Sequence, residues 1–496
     1  MFRPAFFIEA LRRRPGLWVL AAASLSAMLW TAVALLLFAA PLQQLALRLV
    51  LAPFGQIDAD AGGLLAAGLA YSAFRLGGLA GVYCLFGLAF IAASLLAYRL
   101  AWRLFGAQMG GAAALVFLAM LAVGGGGLPF ALDRLALPAL LWLMWEAWRL
   151  IGEGDERAWP PLAAAAGLAL FAGWAGWASL ATVAVLLATT PQGRAALHSP
   201  FLVRPIAVFA TFLVPFAAWV VYGPPGWAAL RGFAPLSLAG FVAGIAVAAV
   251  PALALWAAAR LPSEDEDPQA LPVLVRGPLP APALGFLLMN LWPLALLLVP
   301  AAFGASLSVW SVGAPTAAAL WLVARRGERL ALYRSRVVGQ IGAAFLLAPP
   351  IIAALVLALA PVVGRPGADV NFPAGAVAVP MSEIAARRMG HAVRILAGEF
   401  ALAAPLALAS PAQPAVMPDA DPSRAPWIAP GQPARDGLVL VWTIRDPAGE
   451  PPAAMRTRWP GLRREAPIVV PWSIAGRLEP VRIGWAIVPP VAVAAP

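Results

Sequence analysis

Residues 17–40 read LWVLAAASLSAMLWTAVALLLFAA, twenty-four residues without a charge, just after Arg12, Arg13 and Arg14. An α-helix rises about 1.5 Å per residue, so such a run crosses the roughly 30 Å hydrocarbon core of a bilayer. No small-residue cleavage site follows it, so it reads as a retained helix and not as a removed signal peptide. Apolar runs of this kind recur along the chain, which is 62% hydrophobic and 11% charged. Soluble domains carry about 25% charged residues, so a water-soluble globular protein is excluded. The chain is a multi-pass α-helical membrane protein.

Eleven candidate spans follow from the hydropathy: approximately 17–40, 79–98, 111–123, 135–150, 159–173, 176–190, 205–222, 236–259, 282–303, 305–324 and 339–362. The stretch from Trp159 to Thr190 is too long for one helix and makes two short ones. Arginine placement decides between these readings, because basic residues accumulate in cytoplasmic loops. With eleven spans and the N-terminus inside, the cytoplasmic face receives Arg3, Arg12–Arg14, Arg99, Arg103, Arg149, Arg157, Arg194, Arg204, Arg260, Arg276 and the cluster Arg325–Arg336. The opposite loops receive only Arg48, Arg75, Arg134 and Arg231. Merging the pair would put the cluster outside. Two helices are expected, with the N-terminus in and the C-terminus out.

The net charge of +11 comes from arginine alone, since the chain has no lysine. That excludes a lysine-bearing phosphate loop and Schiff-base chemistry. A single cysteine, Cys84, lies in an apolar segment, and the two histidines, His198 and His391, are far apart. No internal disulfide, cysteine zinc site or histidine metal cluster is expected, and the charge distribution does not suggest nucleic-acid binding. Trp142, Trp145, Trp148 and Trp159 surround the cytoplasmic end of a hairpin, where indole rings favour the interface. Gly167, Gly173 and Gly176 allow close helix approach. The acidic run Glu264–Asp267, between Pro262 and Pro268, reads as a solvated linker.

The composition changes after Val363, dividing the chain into a membrane domain, 1–362, and an extracytoplasmic domain, 363–496. Thirteen arginines and ten acids fall in this last part. Val377–Val379, Arg394–Gly398, Ala415–Met417, Leu438–Ile444, Ile468–Trp472 and Val481–Val488 read as strands, and Ser382–Met389 and Phe400–Leu408 as helices. That order predicts a small α/β unit with a parallel core and extra strands, lying over the outer loops.

Within the membrane domain only Asp58, Asp60 and Asp133 fall on the extracytoplasmic side. Asp60 precedes the amphipathic stretch Leu64–Phe74, which is too short to span and suits the interface, and Asp133 precedes the fourth span. Each acid is placed either to cap its helix or to do chemistry. Asp58 has no capping role, and residues two apart do not share a helix face. Arg75, Arg134 and Arg231 could hold a phosphate by bidentate hydrogen bonds or could snorkel to the interface.

Several stretches resemble bacterial glycosyltransferase family 39. They include Gly81-Val82-Tyr83, Tyr98-Arg99-Leu100-Ala101, Pro138-Ala139-Leu140-Leu141-Trp142, Trp145-Glu146-Ala147-Trp148-Arg149 and the loop GEGDERAW at 152–159. Further along come Arg394–Gly398 with Glu399, Asp419-Ala420-Asp421-Pro422, Ser423–Ile428, Gly437–Trp442 and Arg482–Ile487. Their order, from about residue 80 to the end, is more specific than any one of them. The resemblance implies the multi-pass GT-C fold, similar to aminoarabinose transferases and protein O-mannosyltransferases, in a bacterial inner membrane. It implies a sugar donor on polyprenyl phosphate, used on the extracytoplasmic face. It also puts a first-loop aspartate near the acceptor, the place of Asp58 or Asp60, and a further acid at Asp133. A His-Pro-Pro-Leu type segment is missing, since no proline or histidine lies between Asp58 and Tyr71.

The leading expectation is thus a membrane glycosyltransferase. Asp58 or Asp60 would be its base, Arg75, Arg134 or Arg231 would hold the lipid phosphate, and Asp133 would bind the sugar or, with Asp58 and Asp60, a divalent cation. A non-catalytic scaffold of the same fold is the alternative. A transporter or flippase is disfavoured by the lack of buried charges expected along the spans.

Overall fold

A computed structural model of the chain describes residues 13–57, 59–60, 62–124, 130–222, 232–259, 273–275, 278–325, 329–331, 335–365, 369–444 and 449–490. They form two compact units, one of Met1–Ala32 with Ile57–Ile352, the other of Val33–Gln56 with Ala353–Pro496.

In chain order the helices begin with α1 (Pro15–Leu37), α2 (Gln43–Leu51), α3 (Gly63–Phe105), α4 (Ala107–Val123) and α5 (Asp133–Gly152). Next come α6 (Trp159–Leu170), α7 (Gly173–Thr189), α8 (Pro191–Leu197), α9 (Val203–Tyr222) and α10 (Pro235–Ala258). The last of the membrane part are α11 (Ala283–Met289), α12 (Trp292–Ala302), α13 (Ala314–Ala324) and α14 (Ser335–Leu359). A two-stranded ribbon, β1 (Val273–Val275) with β2 (Arg329–Ala331), is antiparallel. Each of the eleven apolar stretches carries helix. Among the described residues seven helices are long and apolar enough to cross a membrane, and α7 with α8, bent by 93°, would make an eighth. Prolines inside α5, α9, α10 and α14 are tolerated in such helices because neighbouring groups satisfy the freed carbonyls.

Three local differences from the sequence reading have physical causes. The interfacial stretch at 64–74 is helical but continues into the second span, with a break where Gly77 and Gly78 leave helical geometry, Gly78 at φ +59°. The span expected at 305–324 is helical only from Ala314; residues 305–308 are irregular and Val309–Ser311 form one 3-10 turn. Three serines, at 306, 308 and 311, supply side chains that compete with helix hydrogen bonding. The tryptophan belt is also only partial. Trp148 and Trp159 are buried in the core of this unit with Phe105, Phe117 and Trp310. Trp145 lies between Arg99 and Arg149, with ring-to-cation distances of 5.4 and 5.7 Å.

Trp142 Nε1 donates to Glu146 (3.0 Å), and Glu146, though 2% exposed in α5, is ion-paired with Arg149 at 2.8 Å. With Asp133 and Arg134 at its head, α5 thus buries charged side chains, contrary to expectation, and Glu146 among them is ion-paired. The expected linker at Glu264–Asp267 lies outside the described residues.

The second unit holds α15 (Ala374–Met389), α16 (Phe400–Ala409) and a six-stranded sheet of β3 (Ile395–Gly398), β4 (Ala415–Pro418), β5 (Leu438–Thr443), β6 (Arg463–Arg464), β7 (Ile468–Val470) and β8 (Val481–Val488). The order is β4-β3-β5-β8-β6, with β7 also on β8; β3 runs parallel to β4 and β5, and β8 antiparallel to β5. Side chains alternate across the sheet. Leu396, Val439, Val441 and Trp485 face α15, α16 and α2, while Ile395, Ala397, Leu440 and Trp442 face Met417, Ile428 and Met455.

The strand expected at Val377–Val379 is instead part of α15. Its buried positions, Ala374, Val377, Ala378, Met381, Ser382 and Ala385, have the helical spacing that outweighs two β-branched residues. At the end of β4 the turn Asp419-Ala420 has positive φ at both residues (52° and 54°). Arg424 pairs with Asp419, Arg458 with Asp421 at 3.1 Å, and Trp459 Nε1 donates to the Ala420 carbonyl at 3.1 Å. The hydroxyl and backbone N–H of Ser423 hold the Asp421 carboxyl below its usual range, and Arg458 and Arg424 add to this.

Candidate active site

Ala59 and the start of α3 are fixed by backbone contacts on two sides. The Ala59 carbonyl accepts the Trp174 N–H (3.2 Å), and the Leu65 N–H donates to the Phe171 carbonyl (2.9 Å). Gly173, at φ +65°, is the close approach that permits this, because a Cβ there would collide with the Ala59 carbonyl oxygen. Gly62, at φ +83°, lies on the start of α5: a Cβ on it would stand 2.9 Å from the Asp133 Cα. The first loop, the α6–α7 turn and the head of α5 therefore meet at two glycines.

Asp60 is 8% exposed, and its Oδ2 accepts the backbone N–H of Ser306 at 3.0 Å. It does not cap α3, whose N-cap is Gly62 with no side-chain bond. Asp133 is 2% exposed and is the first residue of α5, again without a capping bond. Its oxygens face the Ser308 hydroxyl and the backbone N–H groups of Asp133 and Arg134, at longer range than an ordinary hydrogen bond. Gly62 and not Asp60 is thus the N-cap of α3, while the Asp133 carboxyl stands beside the first backbone N–H groups of α5.

Arg134 is 6% exposed. Its Nη1 donates to the Leu121 carbonyl (3.3 Å), its guanidinium stands 5.7 Å from the Trp310 ring centre, and its Nε has no partner. It lines a cavity of about 20 Å³, room for a single water, together with Trp30, Phe86, Leu121, Phe130 and Leu137. Phe130 is packed edge-on by Trp30, Tyr83 and Phe86 at 6.3, 5.1 and 5.6 Å. Carboxylates and a cation in so water-poor a place interact far more strongly than in solvent.

The structure thus brings Asp60, Asp133 and Arg134 to one region and leaves Arg75 out of it, exposed on α3 just before the Gly77–Gly78 break. Asp58 and Arg231 lie outside the described residues. Ser306, Ser308 and Trp310 also belong to the region, and sequence reasoning had assigned them to a span; three serines within six residues were the available signal. Among the described residues no three of Asp, Glu, His and Cys gather as metal ligands. The cation beside Asp133 is Arg134, and Asp58, the third acid of the expected metal set, lies outside the described residues.

No family model matches the chain, and no curated protein is similar to it in sequence. Two solved structures share its fold. ArnT from Cupriavidus metallidurans, bound to undecaprenyl phosphate, superposes with a TM-score of 0.53 at 14% identity over 97% of this chain and 99% of that one. The same protein in its apo state gives 0.51 at 14% identity over the same shares. The chain has the multi-pass GT-C membrane fold, with a small C-terminal α/β part.

Proposed function

We propose that the chain is an inverting glycosyltransferase of the bacterial inner membrane, moving a hexosyl or pentosyl group from polyprenyl phosphate to an extracytoplasmic hydroxyl of a lipid, glycan or protein. The observation that carries this reading is the burial of Asp60, Asp133 and Arg134 near Gly62, in a chain that shares the ArnT fold over 97% of its length. ArnT binds undecaprenyl phosphate, and a donor of that class gives each buried group a task.

The Asp60 carboxylate takes the proton of the acceptor hydroxyl, a contribution of about 10²–10⁴-fold. The acceptor oxygen forms its bond to the sugar C1 as the C1–phosphate oxygen bond breaks, and polyprenyl phosphate leaves. Arg134 stabilises the charge gathering on that phosphate, and Asp133 accepts hydrogen bonds from the sugar hydroxyls. Asp58 is the second candidate base and Arg231 a further phosphate contact, while Arg75, exposed outside this region, is left without a role in the step. No step requires a metal. The accompanying topology is eleven crossings, N-terminus inside, with residues 363–496 as a periplasmic domain.

A second reading, a non-catalytic scaffold, draws on the hydrogen bond from Ser306 to Asp60, which gives that carboxylate a structural task. Transfer of radiolabel from polyprenyl-phosphate sugars into membranes separates the two. The enzyme reading expects transfer by the wild type that is lost in Asp60→Asn, whose amide oxygen can keep the Ser306 bond. Absence of transfer by the folded wild type, across pentosyl and hexosyl donors, favours the scaffold.

A further inference from the structure

The crevice between α1 and α14 is lined by Trp18, Ala22 and Leu25 on one side and Gly339, Ala343 and Leu347 on the other. It is apolar and has a volume of about 410 Å³, within the roughly 300–1,000 Å³ of small-ligand sites. On each helix the lining begins about one turn from the start and runs on for about 12 Å. Small residues, Ala22, Gly339 and Ala343, leave the hollow where larger ones would have closed it. Walls facing a gap lose their dispersion contacts, so a chain of methylenes is the occupant that restores them.

The mouth supplies the second half of a ligand. Arg13 and Arg14 are exposed at the head of α1, one turn before Trp18. Arginines at that position attract anionic headgroups of the cytoplasmic leaflet, and a guanidinium matches a phosphate bidentately. With α1 and α14 both running outward, as in the topology proposed above, the crevice lies in the cytoplasmic half of the membrane. That is the leaflet opposite to the one where a donor is used.

We propose that this crevice is a binding site for an anionic phospholipid of the cytoplasmic leaflet, one acyl chain between α1 and α14 and the phosphate on Arg13 and Arg14. The leaflet assignment rests on the proposed topology; the lipid class does not.

Native mass spectrometry of the full chain, purified in mild detergent and titrated with phosphatidylglycerol or phosphatidylcholine of equal chain length, tests the site. The wild type should retain phosphatidylglycerol at least tenfold better than phosphatidylcholine. Arg13→Gln/Arg14→Gln should abolish that preference, and Ala343→Trp, which fills the hollow, should reduce binding of both lipids. If Ala343→Trp does not fold, the arginine pair still decides, because it leaves the packed helices untouched. Equal retention of the two lipids, retention of polyprenyl phosphate in their place, or a lipid-free dimer closing the crevice would overturn the proposal. A phosphatase fusion after Gly364 tests the topology separately, so a misplaced leaflet and a missing site give different results.

Discussion

Gly62→Ala tests whether the first loop and the head of α5 form one site. The backbone at Gly62 is left-handed (φ +83°), which costs an L-residue roughly 1–2 kcal/mol. Its new Cβ would also stand 2.7 Å from the Ala66 Cβ, 2.9 Å from the Asp133 Cα and 3.3 Å from the Leu132 carbonyl oxygen. Contacts that short with backbone force a shift, and overpacking of this kind costs about 1–3 kcal/mol. Together the substitution should destabilise the protein by about 2–5 kcal/mol. The strain falls between Asp60 and Asp133, where a displacement of about 1 Å is enough to lower a rate about 10²-fold. Thermal denaturation in detergent reads the first effect and sugar transfer at matched folded protein reads the second. Gly68→Ala is the control: it lies inside α3 with nothing within 4 Å, so it should be neutral or stabilising by about 0.5–1 kcal/mol. A Gly62→Ala protein that melts and transfers like the wild type would refute the reasoning.

Asp133→Asn, whose amide oxygen keeps an acceptor toward Ser308 and the first turn of α5, should fold like the wild type yet lose transfer by at least about 10²-fold; unchanged transfer would remove Asp133 from the site. Arg134→Gln should raise the KM for the lipid donor more than that for the acceptor, and an equal rise in both would argue for a packing role. In the C-terminal part, the Asp421 carboxyl titrates below its unfolded value of about 3.9, so its stabilisation is present above that pH and is lost as pH falls through the lower folded value. Asp421→Asn should therefore flatten the acid side of a tryptophan-fluorescence unfolding profile below about pH 4 and leave the neutral side unchanged in slope.

The membrane helices were legible because an apolar window of about 20 residues has few alternatives in a chain so poor in charge. The split at Gly173 was legible too, from arginine placement alone. Asp60 and Asp133 stood out by scarcity, since arginine placement leaves few acids on the side expected to face outward. What packs on them was not legible: each suited a helix cap as well as chemistry, and only the structure shows Gly62 on Asp133 and Ser306 on Asp60. The loop at 305–311 was hidden because Leu307, Val309 and Trp310 keep its average hydropathy high while its serines break the helix. Val377 and Val379 misled for the opposite reason. A β-branched pair is a local signal, whereas the helical spacing of Ala374 to Ala385 becomes visible only over a longer window. Trp148 was read as an interfacial anchor, yet its ring packs on Phe286, 5.1 Å away, and no hydropathy scale separates an indole facing lipid from one facing another helix.

The most direct measurement reconstitutes the purified chain in vesicles with a set of polyprenyl-phosphate sugars and follows the lipids by mass spectrometry, comparing wild type with the Asp60→Asn/Asp133→Asn variant. Conversion of one sugar-bearing donor to free polyprenyl phosphate by the wild type, slowed at least about 10²-fold in the variant, is the expected result. Equal conversion by both proteins, or none by a wild type that retains the donor and its native melting profile, would contradict the assignment of catalysis to these acids.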